Sequence, residues 1–94
     1  MIAPKLESVE EILGSRARVK IFRFLALNEE LSISQIIKLT KLNHSNVTRH
    51  LDFLINQDLV QLKTFGRIKI YRFKTENLRA KSFKSFLNIW ENMF

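Results

Sequence analysis

Between Ser34 and Phe73 the apolar residues change their spacing once, and that change limits the chain to few architectures. Ile36, Ile37 and Leu39 come first, behind Ser34 as a helix cap, and are predicted to face inward. The link Thr40-Lys41-Leu42 follows. Asn43 then caps a second helix, in which Val47, Leu51, Leu54 and Ile55 recur at intervals of three and four until about Asn56. From Leu59 to Phe65 and from Ile68 to Phe73 the period shortens to two, with β-branched and aromatic residues on either side of Gly66. Two helices on a tight link, followed by a β-hairpin, are the expected order.

The flanks extend this plan. Ser8-Val9-Glu10-Glu11 has the form of a capping box and predicts a short first helix to about Leu13. Gly14 breaks it, and Ser15 caps a helix over 16–27 with Val19, Phe22, Leu25 and Ala26 on one stripe. Leu31-Ser32-Ile33 alternates as a very short strand would. From Thr75 helix formers return, for a last helix of four to five turns. The expected fold class is mainly α with a small β-hairpin. Residues 1–74 form the body, and residues 75–94 add a C-terminal helix to the same domain, since 94 residues do not support two separate cores.

Charge narrows the partners. The chain carries +7 in total, and residues 34–74 hold eight Lys and Arg against Asp52 and Asp58, while residues 1–33 balance. A basic excess concentrated on one segment points to a polyanion. On the helix from Asn43, a core-facing Val47, Leu51 and Leu54 turn Ser45, Asn46, Thr48, Arg49 and Asp52 outward. Asn pairs bidentately with adenine and Arg with guanine in a major groove, and Ser or Thr serves bases or phosphates. Asn43, His44, Ser45, Asn46, Thr48 and Arg49 are therefore the candidate base-reading residues of a double-stranded DNA binder. Asp52 is expected to pair with Arg49, because a free carboxylate is repelled by phosphates. Lys63, Arg67 and Lys69 at the hairpin tip are the candidate backbone contacts, with protection of an exposed strand edge as the competing role. Phe65 beside them is expected to pack within the hairpin, with a wedge against the duplex as the alternative.

Other chemistry lacks residues. There is no Cys, and His44 and His50 stand six apart rather than at the i, i+4 spacing that chelates from one helix face, so no metal and no cofactor is expected. Two glycines cannot build a phosphate-cradling loop, and no catalytic set is positioned, so an enzyme is not expected. No segment has the length of a membrane span or a signal h-region, and a cytoplasmic address follows.

The segment SQIIKLTKLNHSNVTRHLDFLINQDLV, residues 34–60, resembles the helix-turn-helix of the ArsR-like and MarR-like prokaryotic and archaeal transcription regulators. Val47-Thr48-Arg49-His50-Leu51 is similar to their Val-Ser-Arg-His-Leu run, and Gln57-Asp58-Leu59-Val60 to the Ala-Gly-Leu-Val that leads into the wing. Gly14 to Leu27 is similar to their Gly-Ser-x-x-Arg-x-x-Ile-Leu helix, so the resemblance spans about residues 8–74. It implies a winged helix-turn-helix and a transcriptional regulator. Asp58 stands where the family has Gly, and the absence of Cys separates the chain from metal-sensing members. The composition, rich in Ile, Lys and Phe, suits an archaeal source.

The last helix carries more apolar surface than closing one core needs. Leu78, Phe83, Phe86, Leu87, Trp90 and Phe94 are the expected homodimer interface, with the first helix as an added contributor. A small-molecule effector, of unknown identity, would have to lodge at that interface. Two functions outside sequence-specific regulation stay open: a winged-helix protein–protein interaction module, and a non-specific architectural chromatin protein.

Overall fold

The structure is a computed structural model and describes residues 6–92. Its elements run α1 (Val9–Leu13), α2 (Arg16–Asn28), β1 (Glu30–Ser32), α3 (Ile33–Thr40), α4 (His44–Asn56), β2 (Val60–Phe65), β3 (Ile68–Phe73) and α5 (Leu78–Glu91). This is a winged helix-turn-helix: α3, the turn after it and α4, with the β2–β3 hairpin as the wing.

Caps set the boundaries. The Ser8, Ser15 and Asn43 side chains accept from the amides of Glu11, Arg18 and Asn46 respectively, as their positions predict. Helix α3 begins earlier than expected. Ser32, not Ser34, is its cap: the Ser32 hydroxyl accepts from the Gln35 amide at 3.2 Å, and the Gln35 side chain accepts from the Ser32 amide at 2.8 Å. Ile33 consequently lies in the helix, and Leu39, expected inward, is exposed. Helix α3 ends at Lys41, which adopts the left-handed conformation at φ 60° and donates its amide to the Ile37 carbonyl at 2.8 Å. In α5 the cap is Asn77, whose side-chain oxygen accepts from the amides of Arg79 and Ala80, so the helix starts three residues later than the composition suggests.

The hairpin is part of a three-stranded antiparallel sheet of order β1-β3-β2. Tyr71 lies opposite Leu31 on one side and Leu62 on the other, which ties the short strand before the helix-turn-helix to the wing after it. Gly66 at the tip has φ +61°, the conformation that a two-residue hairpin turn requires. Across the sheet, Val60, Tyr71 and Phe73 are buried. Alternation therefore sends Gln61, Lys63 and Phe65 to the opposite, outer face.

The core gathers around α2. Ile21 and Leu25 are wholly buried against Ile36, Val47, Leu51 and Leu54 of the helix-turn-helix. Phe22 stacks on Phe83 of α5 with ring centroids 4.4 Å apart, and meets Phe73 of β3 at 5.0 Å. One aromatic residue thus joins the sheet and the last helix to the domain's centre. Because of that stack, residues 78–91 divide into two faces. Ala80, Phe83 and Leu87, spaced three and four apart, turn inward, and Leu87 is 6% exposed. This corrects the expected dimer interface: Leu87 belongs to the chain's own core, and Phe83 is half-buried against Phe22. Leu78, Phe86, Ile89 and Trp90 are exposed. Phe94 lies outside the described residues.

Asp58 explains how the chain dispenses with glycine before the wing. It adopts φ +63°, a conformation that costs an L-residue about 1 kcal/mol or more. Its carboxylate is held by Lys74 at 2.5 Å, and its carbonyl accepts from the Asn77 side chain at 3.0 Å. Asn77 therefore caps α5 and braces the strained turn together.

Candidate nucleic-acid interface

Helix α4 has the two faces that its spacing predicts. Val47, Leu51 and Leu54 are wholly buried. His44, Ser45, Arg49 and Asp52 are exposed, and Asn46 and Thr48 are half-buried beside them. Within this face the polar side chains are partly committed. The Asn43 oxygen accepts from the Asn46 amide at 2.8 Å and from the Ser45 hydroxyl at 3.1 Å, so its first task is to start the helix. The Thr48 hydroxyl donates back to the His44 carbonyl at 2.9 Å, leaving its lone pairs outward.

Arg49 differs from expectation. Its Nη2 donates to the side-chain oxygen of Asn46 at 3.0 Å, and among the described residues Asp52 makes no ion pair. Asn46 sits one turn back on the same face, within reach of the guanidinium without turning it from solvent. The result is a planar amide and a planar guanidinium displayed side by side.

The other side of α4 is fixed to α2 by an interaction with no simple sequence signal. The Arg18 guanidinium carbon lies 3.6 Å from the centroid of the Phe53 ring, and its Nη1 donates to the Glu11 carbonyl at 2.6 Å. Next to it His50 is buried, and among the described residues its Nδ1 has no hydrogen-bond partner. Burial holds the His50 pKa below its ordinary value, and the charges of Arg18 and Arg49 add to that effect. His50 is thus a packing residue rather than part of the outer face.

The cations sort into paired and unpaired. Lys63 on the wing is tied to Glu30 of β1 at 2.7 Å. Arg72 grips Glu76 through two bonds, of 2.7 and 3.1 Å, which hold the Glu76 carboxyl down at about 2. Lys74 holds Asp58. Among the described residues, this leaves Lys38, Lys41, Arg49, Arg67 and Lys69 of the 34–74 segment without a carboxylate partner. They lie on α3, on the turn after it, on α4 and at the wing tip. The unneutralised charge therefore belongs to the helix-turn-helix and the tip, not to the whole basic segment.

The wing tip holds a second departure. Phe65, expected to pack within the hairpin, is 59% exposed, as is Ile68 opposite it. Strand β1 pairs only with residues 70–72 of β3 and does not extend to the tip. The Lys63 Nζ lies 5.9 Å from the Phe65 ring centroid.

Away from this surface, α1 and α5 frame an apolar groove of about 520 Å³, lined by Val9, Leu13, Leu78, Phe83 and Phe86 with Arg79 at its edge. Phe86 and Trp90 stand 5.7 Å apart on its rim helix. Among the described residues there is no cluster of His, Cys, Asp or Glu that could hold a metal ion, and no helix long and apolar enough to cross a membrane.

Comparison with known proteins agrees with this geometry. Residues 15–61, half of the chain, match the bacterial regulatory protein family arsR. No curated protein sequence matches the chain. Among solved structures, reduced HlyU from Vibrio cholerae superposes with a TM-score of 0.74 at 21% identity, covering 87% of this chain and 83% of that one. The transcriptional repressor PagR of Bacillus anthracis gives 0.70 at 24% identity, over 83% and 86% of the two chains. A transcriptional regulator homologue from Pyrococcus horikoshii gives 0.69 at 26% identity, over 89% and 88%. These neighbours are regulators rather than enzymes. The chain belongs to the arsR family of regulatory proteins, and it is a DNA-binding transcriptional regulator.

Proposed function

We propose that the protein works as a homodimer on double-stranded DNA, reading base edges in the major groove with α4 and holding the flanking backbone with the wing. The observation that carries this reading is the Asn46–Arg49 pair, 3.0 Å apart on the outer face of a helix whose inner face is buried. An α-helix fits the major groove, about 12 Å wide, and these two side-chain types match adenine and guanine edges there. His44, Ser45 and Thr48 border the pair, and Asn43 contributes its side-chain amide nitrogen at the helix start. Arg67 and Lys69, with no carboxylate of their own, meet phosphates, while Lys63 contributes less because Glu30 already neutralises it.

The dimer forms through the outward face of α5, at Leu78, Phe86 and Trp90, with Val9 and Leu13 of α1 beside them. Each large apolar side chain buried there stabilises association by roughly 1.5–3 kcal/mol. A two-fold pair of α4 helices then reads half-sites about 34 Å apart, so the operator is near-palindromic. The cytoplasm is the compartment in which such a regulator meets its DNA.

Base-modification interference tests the groove assignment. Methylation of guanine N7, which projects into the major groove, is expected to block binding at a few positions per half-site. Binding that is indifferent to N7 methylation everywhere would remove the proposal.

A further inference from the structure

Phe65 and Ile68 form a cross-strand pair on either side of the Gly66-Arg67 turn, and each is 59% exposed. Their strands alternate so that Val60, Tyr71 and Phe73 take the core side, and among the described residues only the Lys63 side chain comes near the outer pair, its Nζ 5.9 Å from the Phe65 ring centroid. None of the residues of the proposed dimer face on α1 and α5 belongs to the wing. Burying a Phe or Ile side chain is favourable, and at these two positions the free domain does not collect that gain in full. Arg67 sits between the two, with Lys69 next along, and neither has a carboxylate partner among the described residues. The partner that suits this tip is anionic at its rim and apolar within.

We infer that the wing tip is a minor-groove wedge: Arg67 and Lys69 hold the phosphates at the groove's edge, and Phe65, backed by Ile68, presses against a base step, unstacking it and bending the duplex. This rests on the proposed duplex reading and adds a second source of sequence preference to it. The minor groove is about 6 Å wide, and phosphates line both of its edges, within reach of cations beside the wedge. Phe and Ile are among the side chains that insert between base steps and kink DNA toward the major groove. β2 is six residues long, which gives the tip a reach of roughly 20 Å from the sheet's base, at about 3.3 Å per residue. Because pyrimidine–purine steps unstack most easily, the wedge favours a T-A or C-A step beneath the wing, at a position α4 does not touch.

Energy transfer between dyes at the two ends of a bound duplex tests this, with affinity read in the same titration. The wild-type protein is expected to shorten the end-to-end distance and to favour a site with T-A under the wing by about tenfold over one with a stiff A-tract there, the equivalent of about 1.4 kcal/mol. Phe65→Ala should still bind, leave the duplex straight and lose most of that preference, and Ile68→Ala should do so in part. Both side chains are exposed, so the fold does not depend on them. A duplex that stays straight with the wild-type protein, or bends equally with Phe65→Ala, overturns the wedge and leaves the major-groove reading standing. Failure of the wild-type protein to bind any duplex removes both. Vesicles of phosphatidylserine and phosphatidylcholine provide the control for a membrane partner: wild-type binding that Phe65→Ala abolishes, without duplex bending, overturns the wedge and assigns the tip to lipid.

Discussion

The guanidinium of Arg49 reaches one turn back along α4 and donates to the side-chain oxygen of Asn46 at 3.0 Å. The pair pre-orients two planar groups, which lowers the ordering cost of a groove contact, since fewer rotamers remain to be lost on binding. It also leaves Asp52 without the partner that proximity in sequence suggested.

Arg49→Ala is expected to weaken binding to a selected duplex about 10- to 100-fold, the equivalent of about 1–3 kcal/mol for one bidentate base contact. Asn46→Ala should weaken it less but broaden the base preference further, because it removes a contact and frees Arg49 together. Fluorescence anisotropy with selected and scrambled duplexes at fixed salt measures both effects.

On the wing, Arg67→Ala and Lys69→Ala should each weaken binding to every sequence and lower the slope of log affinity against log salt by about 1. Lys63→Ala should change that slope less, since its charge is already paired with Glu30 at 2.7 Å. Titrations across a salt series give the three slopes, and equal losses at all three positions would contradict the sorting of paired from unpaired cations.

Phe86→Asp with Trp90→Asp should give a folded monomer, and Leu87→Ala should instead destabilise the fold by about 2–5 kcal/mol. Sedimentation equilibrium and denaturant unfolding separate the two outcomes. The distinction follows from α5 alone: Leu87 packs inward and Trp90 is 64% exposed.

Asp58→Ala should cost about 1 kcal/mol or more, because alanine retains the left-handed penalty and gives up the bond to Lys74. Asp58→Gly, which relieves the penalty while losing the same bond, should be nearly neutral. Thermal unfolding of the two variants checks the order.

Acid should destabilise the protein in two stages. His50 has its pKa below the ordinary 6.5, so the unfolded chain takes up this proton first and stability begins to fall below that pH. Glu76 is lowered from 4.5 to about 2 by Arg72, and Asp58 and Glu91 are lowered by Lys74 and Arg23. Their contributions are present above the unfolded carboxylate values and are lost as the pH falls through their lowered folded-state values, about 2 for Glu76. Denaturant unfolding at a series of pH values should show both declines, and His50→Gln should remove the upper one.

Much of this architecture is legible in the sequence because the spacing of apolar residues and the capping residues agree. Val47, Leu51 and Leu54 name the inner face of α4, and Asn43 names its start. Less legible is what depends on tertiary neighbours. Ser32-x-x-Gln35 is a capping signal, yet it lies inside a run that also alternates as a strand, and β1 and the cap in fact share Ser32. Asn77 is a conventional helix cap, hidden because Thr75 lies just before it. The two faces of α5 are set by where Phe22 stacks, and no local pattern in residues 78–94 specifies that choice. Phe65 reads as a packed hairpin residue until the register shows that its strand's other face is the buried one.

Selection of bound duplexes from a random pool should enrich one motif with two half-sites about one helical turn apart, and that enrichment should be lost when the selection is repeated with Asn46→Ala, Arg49→Ala. A pool that gains no motif with the wild-type protein, or the same motif recovered undiminished by the double variant, would contradict the major-groove reading.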